Sequence, residues 1–167
     1  MSTKNQFLED YTITKIQNNC SNIDTIEKSL KSNLPTISLI KKEFGSDFIQ
    51  AYIEGWIVNI REFVNVGKKM TDIQTQETAS IIVREYYNLN ISDINLIFRN
   101  AKLGLYGKIY DRLDGMIILD WFEQFFNKRC SIAAEQSIQE SESYKWNETE
   151  RISSNQKISD VIKSFRK

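Results

Sequence analysis

Three observations predict an all-α fold. A single proline, Pro35, and only six glycines in 167 residues leave long stretches without a helix breaker. Apolar residues recur at i, i+3, i+4 and i+7 along those stretches. Start and stop signals stand at their ends. The pattern predicts a compact bundle of about five to seven helices, with a basic aromatic loop at residues 103–115 before a long C-terminal helix. The expected organisation is an N-terminal helical extension (1–34), a helical core domain (35–134) and a charged C-terminal helix or tail (135–167).

Within Phe7–Leu30 two weak helical patterns flank NNCSN, because asparagine side chains compete for backbone hydrogen bonds and favour turns. After Pro35, Ile37, Leu39, Ile40 and Phe44 outline a short helix that stops at Gly45, where a positive φ costs glycine least. Ser46 and Asp47 start the next helix, with Ile49, Tyr52, Ile53, Trp56, Ile57, Ile60, Phe63 and Val64 on one broad stripe, the expected central core helix. Gly55 inside it costs about 1 kcal/mol relative to alanine. It marks close helix packing or is simply tolerated.

A connector, Val66–Met70, leads to a capping box of Thr71 and Gln74. The helix that follows carries Ala79, Ile82, Val83, Tyr86 and Tyr87 as its buried face. Asn88–Asn90 ends it. Ser92 and Asp93 begin another, with Ile94, Ile97, Phe98, Ala101 and Leu105 inward, and with Arg99 and Lys102 on the face opposite the core. The two form a helical hairpin. Asp114 caps a last helix in which Ile118, Trp121, Phe122, Phe125 and Phe126 make a core stripe. Beyond Cys130 and Ile132 the chain becomes acidic and rich in serine and glutamine, and a solvent-exposed helix or partly disordered tail is expected from about residue 135.

Composition excludes several chemistries. The chain has no histidine and two distant cysteines, Cys20 and Cys130, so cysteine–histidine zinc sites and histidine bases are ruled out. Two free thiols in a reducing cytoplasm are expected. The polar start MSTKNQFLEDYTITK gives no signal peptide, and no apolar run approaches the ~20 residues of a membrane span. A soluble, cytoplasmic protein without membrane contact follows as the expectation. Asp111, Asp114 and Asp120 have the chemistry of a carboxylate acid–base or magnesium site. Capping by Asp114, pairing of Asp111 with a neighbouring cation and an exposed helical position for Asp120 account for them more simply. No P-loop is present either. No catalytic residue, cofactor or metal is expected.

Charges balance overall at 22 basic and 22 acidic residues, so attraction to phosphate must be local. Arg99, Lys102, Lys108 and Arg112 face only Asp111 between residues 99 and 112, a net +3. Interleaved with Tyr106, Tyr110 and three glycines, they suit phosphate neutralisation with base stacking. Tyrosine and arginine also dominate protein interfaces, so a protein-binding loop stands beside that reading, as does a loop whose tyrosines merely pack on the core. Lys68 and Lys69 extend the basic surface if the fold brings their connector near. In the tail, Glu135, Glu140, Glu142, Glu148 and Glu150 oppose Lys145, a net −4. Arg151, Lys157, Lys163, Arg166 and Lys167 then oppose Asp160, a net +4. Trp146, Ile158, Ile162 and Phe165 are its candidate anchors for a partner or for a second copy in a homo-oligomer.

FGSDFIQAYIEGWIVNIREFVNVGKKM, EYYNLNISDINLIFRNAKLGLYGKIYDRLDG and IILDWFEQFFNKRC together resemble an uncharacterised family of gut anaerobic bacteria and their phages and mobile elements. YGKIYDRLDG is the most specific part. That family's helical hairpin, basic aromatic loop and tryptophan-bearing helix look like the helical domains of phage replisome organisers and helicase loaders. The resemblance implies a non-enzymatic accessory factor in DNA replication. It would bind single-stranded or forked DNA, a replicative helicase, or both, without an ATPase motif of its own. The alternative is a helical protein-interaction module, such as a virion component or an inhibitor of a host protein, with no nucleic-acid contact.

Overall fold

A computed structural model describes residues 3–164, with side chains described for residues 3–143, Lys145 and Trp146. Eight α-helices and no strand occur among the described residues: α1 (Lys4–Asp10), α2 (Ile13–Asn19), α3 (Ile26–Leu30), α4 (Ile37–Phe44), α5 (Ser46–Phe63), α6 (Asp72–Glu85), α7 (Ile91–Lys102) and α8 (Gly115–Ser164). The all-α expectation holds, ending in the long C-terminal helix. The chain divides into two units, residues 1–129 and 130–167. Among the described residues no helix is long and apolar enough to cross a membrane.

Local chemistry sets the boundaries. Residues 4–30 form three short helices rather than two, because Thr3, Thr12 and Thr25 each accept a backbone N–H in the following turn and restart the helix. Thr71 and Gln74 make the reciprocal capping box of α6. Asn90, two residues before the expected Ser92–Asp93 start, makes a second capping box with Asp93 on α7. At the end of α4, Gly45 takes φ +96° and lets α5 follow without a linker. The chain from Pro35 to Ser38 is hydrogen bonded to the α6–α7 turn, with Ile37 N–H to Leu89 O at 2.8 Å and Ile91 N–H to Pro35 O at 3.1 Å.

The core of the first unit forms around α5, whose Ile49, Ile53, Trp56, Ile57 and Ile60 are fully buried. Trp56 stacks on Phe98 of α7, and Phe122 of α8 meets Phe98 edge-on. Phe7 of α1 joins Tyr11, Phe44, Phe48 and Tyr52 in an aromatic cluster. Tyr86 leans on Phe122 and Phe126, but Tyr87 is half exposed, since α6 ends at Glu85 and the stripe ends with it. Leu105, expected on the inner face of α7, lies beyond the helix and is exposed, as is Leu103.

A polar network closes the fold behind α7. Asp93 is fully buried and accepts from Arg129 Nε at 2.9 Å, from Ser29 Oγ at 2.6 Å and from the Asn90 N–H at 3.0 Å. It joins α3, α7 and the α8 segment of the first unit. In the second unit none of the side chains from Cys130 to Ser143 is buried, and Trp146 is exposed. The side chains of Ile158 and Ile162, and the whole of Phe165, lie outside the described residues, as do the side chains of the basic C-terminal cluster.

Candidate binding loop

The loop between α7 and α8 is held at both ends by its own backbone. At the α7 end, Gly104 (φ +72°) donates its N–H to Ala101 O at 3.0 Å and Leu105 donates to Asn100 O at 2.9 Å. These two bonds form a Schellman motif, which needs a left-handed residue at Gly104. At the α8 end, Lys68 N–H donates to Asp111 O at 3.1 Å and Leu113 N–H donates to Lys68 O at 3.0 Å. This parallel pairing brings the 66–70 connector against the loop. Leu113 is buried beneath it, and Asp114 caps α8 by accepting the Ile117 N–H at 3.2 Å.

Lys68, Lys108 and Arg112 therefore line one surface cleft of about 1080 Å³, with Tyr110 beside them; Lys69 is exposed next to Lys68. Tyr110 is 77% exposed. A smaller cleft on the other side of the loop, against Phe63 and Val64, also reaches Lys108 and Tyr110, so residues 107–110 form a wall between two depressions.

Two of the expected contact residues have internal roles. Tyr106 stacks on Trp121 with ring centroids 6.0 Å apart, and burial, partly offset by the Asn100 side chain, pushes its phenol up to about 12. Lys102 does not project from the outer face of α7. Its long stem folds back toward α5, where Nζ donates to Asn59 Oδ1 at 2.6 Å and lies 5.2 Å from the centre of the Phe63 ring. Burial pulls its ammonium below the ordinary lysine value. Arg99 is exposed on α7 and lines a separate pocket, away from the loop cleft.

The cleft is not basic. Asp111, Asp114 and Asp120 line it together with Lys68, Lys108 and Arg112, three acids against three bases, and Arg112 is paired with Asp114 at 3.2 Å. Among the described residues no three carboxylates or thiols come together as a metal cage. Met116, 81% exposed, adds an apolar contact at the rim. Sequence reasoning did not include Met116 or Trp121 in the site, since a methionine and a core-stripe tryptophan carry no signal of a cleft until the connector folds over it.

The arrangement defines an all-helical domain that presents a backbone-clamped loop over an amphoteric cleft. The chain belongs to a family of unknown function, DUF6633, which it matches over residues 69–159. No curated protein and no solved structure matches it.

Proposed function

We propose that this chain is a non-enzymatic protein-interaction module that docks a partner on the 103–114 loop and its cleft. The observation that carries the reading is the cleft's composition: an exposed tyrosine and methionine beside acids and bases in equal number. A phosphate track needs uncompensated positive charge, whereas protein interfaces combine aromatic and methionine anchors with paired charges of both signs. In the replication setting implied by the sequence resemblance, the partner is a replicative helicase. A second reading, single-stranded or forked DNA, is favoured by Tyr110 standing between Lys108 and Arg112, with Lys68 and Lys69 across the connector.

Binding of the purified chain to a replicative helicase and to fluorescent single-stranded and forked DNA, each measured from about 0.05 to about 0.2 M salt, separates the two. Helicase binding that changes little with salt and weakens about tenfold or more in Tyr110→Ala supports the protein reading. DNA binding that falls steeply with salt, without helicase binding, replaces it.

A further inference from the structure

We propose that the pocket between α2 and α7 is a binding site for a phosphate group. The pocket has a volume of about 390 Å³ and is lined by Gln17, Ser21, Asn95, Arg99 and Lys102, with Cys20 and Leu103 as its less polar walls. It is separate from the loop cleft and does not depend on the protein-docking reading.

Two of its donors, Asn95 and Arg99, have no hydrogen-bond or ion-pair partner among the described residues. Asn95 is 3% exposed, yet among the described residues its side-chain amide makes no hydrogen bond. The amide is open to the pocket rather than sealed in the core, since Trp56 Nε1 and Tyr106 Oη are the buried unpaired side-chain atoms among the described residues, and it is therefore free to donate to a ligand in the pocket. Lys102 is half buried and has no carboxylate counterion among the described residues, its charge facing a neutral amide oxygen and an aromatic ring. Arg99, one turn from Asn95, also forms no ion pair among the described residues. The carboxylate that feels Arg99, Asp24, is itself engaged by Lys28 at 2.6 Å.

Among the described residues no aspartate or glutamate lines the pocket. Two cations, two side-chain amides and a hydroxyl around one cavity, with the nearby Asp24 carboxylate already taken by Lys28, match the demand of a tetrahedral oxyanion for several donors and compensating charge. The planar guanidinium of Arg99 can take two phosphate oxygens at once, and Lys102, its ammonium held on Asn59 and the Phe63 ring, adds positive potential from the pocket's edge without direct contact. The Cys20 thiol, pushed up by burial, stays neutral and does not oppose the ligand's charge.

The same chemistry could come from a free phosphate compound or from a nucleic-acid backbone, and two probes distinguish them. Inorganic phosphate and a short single-stranded oligothymidylate are titrated calorimetrically into the full chain at fixed ionic strength, with Arg99→Ala, Asn95→Asp and Arg112→Ala in parallel. Circular dichroism checks that each variant is folded. The expected result is saturable binding of at least one probe, weakened tenfold or more in Arg99→Ala and in Asn95→Asp and by a smaller factor in Arg112→Ala. Binding of inorganic phosphate identifies a site for free phosphate compounds. Binding of the oligonucleotide alone identifies a backbone site. Absence of saturable binding by both probes, or binding that survives Arg99→Ala while Arg112→Ala abolishes it, overturns the proposal.

Discussion

Gly55 and Gly115 both sit in helices, and their surroundings assign them opposite roles. A Cβ on Gly55 would meet only Ile13 Cδ1 of α2, at an ordinary contact distance of 3.7 Å. Of the readings open in the sequence, the tolerated glycine is the one the packing supports. Gly55→Ala is expected to stabilise the fold by about 0.5–1 kcal/mol, read from the urea midpoint at unchanged m-value. At Gly115 a Cβ would overlap Thr78 Oγ1, which donates to Gln74 O at 2.7 Å and has little room to move. Gly115→Ala should cost about 1–3 kcal/mol, and adding Thr78→Ala should recover part of that loss. Tyr106 gives a pH test. Its phenol titrates higher in the folded chain than the ordinary value near 10, so the folded state holds the proton more tightly. Its stabilising contribution is complete below about pH 10 and declines as pH rises toward about 12. Tyr52, raised by the same cause, adds to the decline. Tyr106→Phe should flatten the fall in urea midpoint between pH 9 and pH 11, and an unchanged slope would contradict the burial account.

At the scale of elements, the junction of α3, α7 and α8 depends on one buried charge. Removing Arg129 leaves the Asp93 carboxylate fully buried with only neutral donors, which should cost about 3 kcal/mol. Replacing both, as Asp93→Asn with Arg129→Met, should cost less than Arg129→Met alone, and denaturant unfolding of the two variants decides it. This junction shows where the sequence stopped being legible. The capping box at Thr71 and Gln74, the stop at Gly45 and the cap at Asp114 are local patterns within four residues, and each was readable. Asp93 read only as a helix start, because Ser29 and Arg129 lie 64 and 36 residues away. The candidate site divides in the same way. Tyr110, Lys108 and Arg112 were identifiable by type and lie on the cleft, and Lys68 joins them through pairing that the sequence left conditional. Lys102 and Tyr106 follow their long side chains onto α5 and Trp121, contacts set by tertiary packing that helical periodicity cannot encode.

For the whole molecule, the boundaries of the family match and of the folding unit differ. Residues 69–159 include α6, α7, the loop and most of α8, but not α5, whose Trp56 stacks on Phe98 and whose isoleucines form the centre of the core. Every buried apolar side chain lies between Phe7 and Phe125 among the residues whose side chains are described. A fragment of residues 69–159 should therefore bind a hydrophobic dye and melt without a cooperative transition, whereas residues 1–134 should unfold cooperatively. Cooperative melting of the shorter piece would show that α5 is dispensable. The loop has a consequence for how such a scaffold diversifies. Residues 105–110 are gripped at both ends by main-chain hydrogen bonds, at Gly104 and at the Lys68–Arg112 pairing, so the grip is largely indifferent to the side chains carried between. The segment is a replaceable cassette: the contact chemistry of its exposed positions Leu105, Lys108 and Tyr110 can be rewritten while the helices that carry it keep their register, with Tyr106 on Trp121, Ile109 on the core and Gly107 at φ +102° as fixed points.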